Sequence, residues 1–398
     1  MRGAHGLARA VPIVRWVMKN PVLLVWSLFL LGQPFYVVQS GLPQPGDVLL
    51  IPLFLMALVG WNGRLKLAST KPLRLLFLFT LWVTLVNVAW MVTTGDVGLT
   101  SKAAFSPLQP MFYMFNAAVV LVVAILYERF GRRFIELSYH LTICIAVLQV
   151  LLSFVYFGSR TVRGTVFFNN PNQLGYYAMV SACTVAVCHR QLRASTLYAT
   201  IGFVACIYLA LISASKAAVG GSLVLFVLTV ITNPRAIIAL SLGIGAMLSL
   251  GGPVARARET TQRRVGENRN PNATFFEERG YDRIQDHPQY LLLGAGEGAT
   301  TRFSDGTLIG THEIHSSAGT ILFAYGIPGV LLFLMFLVRV VRGASIRASF
   351  ILLPPLAYTI AHQGLRFTSL WVLFGLFITI KQLVPVATPR SPPKESPA

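Results

Sequence analysis

The chain has 398 residues, of which 55% are hydrophobic and only 12% charged, with a formal net charge of +19. A soluble core of ordinary shape cannot hide that much apolar surface, so the composition excludes an ordinary soluble domain and points to lipid. The positive charge needs no nucleic acid partner, because its distribution along the chain follows membrane topology.

Apolar runs of about twenty residues, each closed by charges, Pro or Gly, predict a polytopic, all-α membrane protein with about twelve transmembrane helices. In chain order they cover 21–40, 46–61, 73–93, 109–127, 135–157, 172–189, 195–213, 217–233, 235–252, 318–338, 346–362 and 366–383. The first run follows a basic segment, 1–20, but is too long for a cleaved signal peptide and has no small-residue cleavage site, so it reads as a retained span. The organisation expected is a cytoplasmic N-terminus (1–20), helices one to nine (21–251), a long polar loop (252–317), helices ten to twelve (318–383) and a disordered cytoplasmic tail (384–398). Cys144, Cys183, Cys188 and Cys206 all fall inside predicted spans, which supports neither a disulfide framework nor a Cys-based metal site.

Orientation follows from Lys and Arg, since basic loops resist export across the bilayer. One alternating set of connections, with both termini, holds twenty of the 33 basic residues. The opposite short connections hold only Lys102, Arg160, Arg163, Lys216 and Arg366. Both termini are then cytoplasmic and 252–317 faces out. That loop concentrates nine of the fourteen acidic residues, eight Arg and three of the seven His, so the chemistry is expected there.

The outward connections carry four candidate features. Before the sixth span, Arg160-Thr-Val-Arg-Gly-Thr-Val-Phe-Phe-Asn-Asn-Pro-Asn places Asn170 as an N-cap and Pro171 as the first helical residue. A helix N-terminus beside Arg160 and Arg163 suits an anion; the plain alternative is a capped helix with two interfacial Arg. Lys216 starts the eighth span, as an anion partner or as a cation that snorkels to the interface. Arg279-Gly-Tyr-Asp-Arg-Ile-Gln-Asp-His reads as a short helix ended near Pro288, with Arg279 and Arg283 on one face. Two guanidinium forks a turn apart suit a phosphate, against the plainer reading of a solvated helix with internal ion pairs. His315, at the mouth of the tenth span, can take a proton from an acceptor hydroxyl, or be an interfacial structural residue. His312 and His315 have metal-pair spacing without a third ligand. Gly294-Ala-Gly-Glu-Gly lacks the strand and Lys-Ser/Thr end of a phosphate loop and reads as a turn. Asn272-Ala-Thr is a formal glycosylation sequon.

Together, the span count, the outer loop between spans nine and ten, the Arg-Gly-Thr-Val-Phe-Phe-Asn-Asn-Pro-Asn segment and His315-Ser316 followed after nine residues by Gly326-Ile-Pro-Gly329 resemble the O-antigen ligase and Wzy-type polymerase membrane proteins. The likeness covers about Arg160 to Val341; spans one to five match in count and hydropathy only. It implies a GT-C-like fold in a bacterial inner membrane, acting from the periplasmic side on undecaprenyl-diphosphate-linked glycan. The acceptor implied is a glycan on lipid A-core, on protein or on a growing polysaccharide.

By the same resemblance His315 is the loop histidine, and Arg163 the Arg ahead of the Asn-Pro-Asn element. Lys216 stands where Ser-Arg is usual, keeping the charge but not the fork, and Arg279 or Arg283 grips the diphosphate. The Arg-to-Trp helix usual before His-Pro is replaced here, which favours an exopolysaccharide polymerase, whereas the His-Ser-x9-Gly element favours a lipopolysaccharide ligase. The chemistry expected is metal-independent, cofactor-free inverting transfer: the chain has no Asp-x-Asp pair, Arg and Lys stabilise the departing diphosphate, and His315 acts on the acceptor hydroxyl. The competing class is a transporter or flippase of lipid-linked glycan. Against it, the spans hold few ionisable residues, chiefly Glu136 and His140, and show no repeat symmetry.

Overall fold

A computed structural model describes residues 15–39, 42–65, 67–98, 104–156, 164–192, 194–230, 274, 276–303 and 313–380, with scattered positions between 234 and 259. Among them the chain is all-α, with only isolated bridges at Val97–Phe105 and Phe105–Gly298. The helices are α1 Pro21–Gly32, α2 Pro45–Val48, α3 Leu50–Val59, α4 Leu67–Thr94, α5 Leu108–Phe130, α6 Arg132–Tyr156 and α7 Pro171–Leu192. They continue as α8 Thr196–Ile212, α9 Lys216–Val230, α10 Asp282–Asp286, α11 Ser317–Val341, α12 Ile346–Ser349, α13 Leu353–Ala361 and α14 Thr368–Ile380.

Helices α7 and α14 are the inner staves. From Leu370 to Ile380 every residue of α14 is buried, and α7 is buried from Gln173 to Cys188. Around them α4, α5, α6 and α11 are long and apolar enough to cross a membrane. These helices turn large apolar side chains outward: Phe77, Leu81 and Leu85 on α4, Leu151 on α6, Leu331 and Val338 on α11. Contiguous apolar surface of that kind is unstable in water and is what a bilayer covers. The chain is an α-helical membrane protein.

Three predicted spans are reshaped, each at Gly or Pro. The first helix stops at Gly32 rather than running to 40, because Pro34 has no N–H to donate and Gly32 meets Gly46 backbone to backbone. A Cβ on Gly32 would lie 2.9 Å from the Gly46 Cα, so the close crossing needs both glycines. The described residues after it, 33–39 and 42–44, fold back on themselves, Gln44 Oε1 accepting the N–H groups of Val37 and Val38 (3.0 Å each). The eleventh span is broken into α12, a 3-10 turn and α13, with Pro354 and Pro355 in the first turn of α13. In the tenth, α11 bends at Gly326, whose φ of 64° and ψ of −169° only glycine adopts readily. Most of the ninth predicted span, the start of the loop and the tail lie outside the described residues.

The connections sort to two ends. At one end Arg129 Nη1 donates to the Met56 carbonyl (3.0 Å), Arg132 Nη2 to that of Leu192 (2.8 Å) and Arg190 Nη2 to Ser345 Oγ (3.2 Å). At the other, Tyr36 N donates to Phe167 O (3.0 Å), Gly164 N to Ile212 O (2.9 Å), Ala299 N to Ala104 O (2.9 Å) and Ser317 N to His362 O (3.1 Å). These bonds join basic connections to basic ones and loop-side connections to loop-side ones, the alternation that the Lys and Arg count predicts.

Candidate functional site

At the loop-bearing end a cavity of about 550 Å³ opens between α1, α7, α13 and the polar loop. Arg279, Glu313, His315, His362 and Arg366 line one part of it. Gln33, Asp47, Asn170 and Asn172, with Tyr36 and Phe112, line another.

The start of α7 is built as its sequence requires. Asn170 Oδ1 accepts the Gln173 N–H (3.0 Å), while Gln173 Oε1 accepts the N–H of Asn169 (3.1 Å) and Asn170 (3.3 Å). This reciprocal capping leaves the helix beginning at Pro171 at the edge of the cavity. Tyr358 OH donates to the Asn172 carbonyl (3.1 Å), which ties α13 to the same turn.

The loop does not form the helix expected from 279 to 287. Glu277–Arg279 is a single 3-10 turn, Gly280 takes a left-handed conformation (φ 73°), and α10 starts afresh at Asp282. The break turns the two arginines to different places. Arg279 lines the large cavity, with Nη1 3.5 Å from Nδ1 of His362, and its carbonyl accepts the His315 N–H (2.9 Å). Arg283 is buried, its guanidinium 5.2 Å from the centre of the Phe303 ring, in a separate small pocket bounded by Glu297, Glu313 and Arg366. Burial pulls the Arg283 pKa down, with Asp282 and Glu313 acting the other way.

The remaining outer connection, His362 to Arg366, is bound tightly to the start of α11. Gln363 Nε2 donates to the Ile314 carbonyl and to Thr320 Oγ1 (2.9 Å), and Leu365 N donates to Ser317 Oγ (3.0 Å). His362 stacks on Tyr358 at 4.4 Å between ring centres. Arg366 forks between two carboxylates, Nη2 to Glu297 Oε2 (3.1 Å) and Nη1 to Glu313 Oε2 (2.8 Å). Burial works against the Arg366 charge, but Glu313 and Glu297 outweigh it and hold the guanidinium protonated above its ordinary range. Glu297 is 6% exposed and also accepts from Tyr113 OH (3.0 Å) and Tyr325 OH (2.7 Å). The Gly294-Ala-Gly-Glu-Gly turn thus delivers a buried anion that anchors Arg366.

The His315-Ser316-x9-Gly element separates into parts. Ser316 caps α11, its Oγ accepting from Gly319 N (3.0 Å) and lying 2.6 Å from the Tyr281 hydroxyl. Gly326 frees carbonyls that the turn and α4 then satisfy: Ala295 N donates to Phe323 O (2.9 Å), Gly296 N to Ala324 O (2.8 Å) and Trp82 Nε1 to Tyr325 O (2.8 Å). A Cβ on Gly326 would lie 2.9 Å from both Gly294 N and Leu291 O. Within the element it is His315, exposed, that lines the cavity.

Of the residues expected at the site, Arg279 and His315 are brought together. Lys216 is exposed at the start of α9 and does not line the cavity. Arg160, Arg163 and His312 lie outside the described residues. His362, read as the end of the eleventh span, and Arg366, read only as an outward cation, were not expected at the site. The available signal was a His and an Arg within five residues of one outward turn. No protein-family model matches the chain, and no curated protein matches it.

Proposed function

We propose that the chain is a membrane glycosyltransferase of the O-antigen ligase or Wzy-type polymerase kind. It transfers a glycan from undecaprenyl diphosphate to an acceptor glycan, on lipid A-core, protein or a growing polysaccharide, at the periplasmic face of a bacterial inner membrane. The observation that carries the reading is the meeting of Arg279, His315, His362 and Arg366 in one cavity at the loop-bearing end, beside the capped start of α7. A departing diphosphate gains negative charge in the transition state, and fixed guanidinium groups with a helix N-terminus stabilise that charge. Arg279 supplies the fork, with Arg366, held between two carboxylates, as the second guanidinium of the described lining. His315 takes the proton of the acceptor hydroxyl as it attacks the anomeric carbon, so one displacement inverts the configuration. No metal or cofactor enters this scheme.

Twelve crossings in a GT-C-like arrangement fit the ends of the helices. Both α9 and α11 start at the loop-bearing end, and in this reading the ninth span, read at 235–252, supplies the return crossing between them. The excess of Lys and Arg at the other end puts both termini in the cytoplasm.

The test is product formation in membranes supplied with lipid-linked donor. His315→Ala should abolish it, with donor accumulating on the outer leaflet. Arg279→Ala should slow it about ten- to a hundredfold, the worth of one charge-assisted hydrogen bond realised in the transition state. Donor trapped on the cytoplasmic leaflet instead would replace this reading with a flippase.

A further inference from the structure

The cavity has two chemically different walls. The first, already described, carries Arg279, His315, His362 and Arg366, with the Glu313 carboxylate bound to Arg366. The second is made by the fold-back between α1 and α2 and by the first turn of α7. Among its described lining residues there is no Lys or Arg; it presents Gln33, Asp47 and Asn172 beside the ring of Tyr36.

This second wall is stiffly held. Gln44, 5% exposed, accepts the N–H groups of Val37 and Val38 (3.0 Å each) and donates to the carbonyls of Val38 and Leu42 (3.0 Å each). Asp47 Oδ2 accepts the Gln44 N–H (2.9 Å), and the Asp47 carboxylate lies beside the Gln33 amide. Asn169 Nδ2 donates to Val38 O (2.9 Å), and Tyr36 packs on Phe168 at 5.1 Å between ring centres, so the fold-back is fastened to the α7 start. A carboxylate repels phosphate. Paired acceptors and amide donors beside an aromatic ring match instead the adjacent hydroxyls and the C–H face of a sugar ring.

We infer that Gln33, Asp47 and Asn172 form a subsite for an uncharged, hydroxyl-rich sugar ring, distinct from the anion-binding wall around Arg279. The inference rests on the glycosyl-transfer reading of the cavity and assigns a role to the first two helices. Substrate then lies across the cavity, diphosphate on the cationic wall and sugar on the amide and carboxylate wall.

The purified full chain in detergent decides it, with inorganic pyrophosphate as one probe and a panel of glucose, galactose, mannose and N-acetylglucosamine as the other. Pyrophosphate is followed by phosphorus NMR titration and the hexoses by saturation-transfer NMR. Gln33→Leu and Asp47→Asn, the latter keeping an oxygen to cap Gln44, should each weaken hexose binding about tenfold and leave pyrophosphate affinity within about twofold. Arg279→Ala should do the reverse. Hexose binding that survives in both variants, pyrophosphate affinity that falls in step with hexose binding, or a wild-type protein that binds pyrophosphate but no hexose would overturn the subsite. A wild-type protein that binds neither would remove the glycosyl-transfer reading along with it.

Discussion

At the scale of single residues, the charges at this site divide between those that build it and those that face substrate. Arg366 belongs chiefly to the first group, because Glu297 beneath it is buried and has only Arg366 and two tyrosine hydroxyls as side-chain partners among those resolved. Removing one partner of a buried pair leaves the other charge stranded, at about 3–5 kcal/mol. Arg366→Ala should therefore lower the thermal unfolding midpoint in detergent markedly. Arg366→Lys should recover part of that loss, since an ammonium keeps the charge but not the two-carboxylate fork. An unchanged midpoint for Arg366→Ala would mean that the pair contributes nothing to the fold. Arg302 is also structural: its guanidinium sits 4.4–5.5 Å from the ring centres of Trp90, Phe105, Tyr290 and Phe303, and burial pulls its pKa down to about 10, still charged at neutral pH.

At the scale of elements, the loop and α11 are built as one piece. The bend at Gly326 opens carbonyls that residues 295 and 296 close, and the same turn carries Glu297 to Arg366. Gly326→Ala forces a Cβ against Gly294 N and Leu291 O in a backbone conformation closed to L side chains, at a cost on the order of 1–3 kcal/mol. Because the displaced turn supports the cavity wall, transfer should fall more than stability does. Ala at Gly343, where φ is also positive (82°) but no atom lies within 4 Å of the added carbon, should spare transfer. Equal loss of transfer in the two variants, at matched protein levels, would argue against a specific role for the bend.

Much of this level was legible in the sequence. Apolar runs closed by Gly, Pro or charge gave the helices their places, and the Asn170-Pro171 start of α7 was read from local capping chemistry alone. What was not legible depends on tertiary approach. The end of α1 at Gly32 is set by contact with Gly46. The parting of Arg279 from Arg283 depends on Gly280 entering the left-handed region. His362 reaches Arg279 across 83 positions of chain. Periodicity and charge spacing carry no information over such distances.

At the scale of the whole molecule, the cavity lies at the end opposite the basic connections. In a background with the exposed Cys144 replaced by Ala, a cysteine introduced at Ser304 should react with an impermeant thiol reagent in intact cells, and one at Ser345 should not. Labelling at Ser345 alone would reverse the orientation. Orientation and cavity together support the proposed activity, formation of a glycosidic bond. The most direct measurement is reconstitution of the purified chain in vesicles with undecaprenyl-diphosphate-linked glycan and an acceptor glycan, following both products. Undecaprenyl diphosphate should be released in equal amount to the new glycosidic bond, with inverted configuration, and His315→Ala should give neither product. Donor carried across the vesicle membrane with no new bond formed would contradict it.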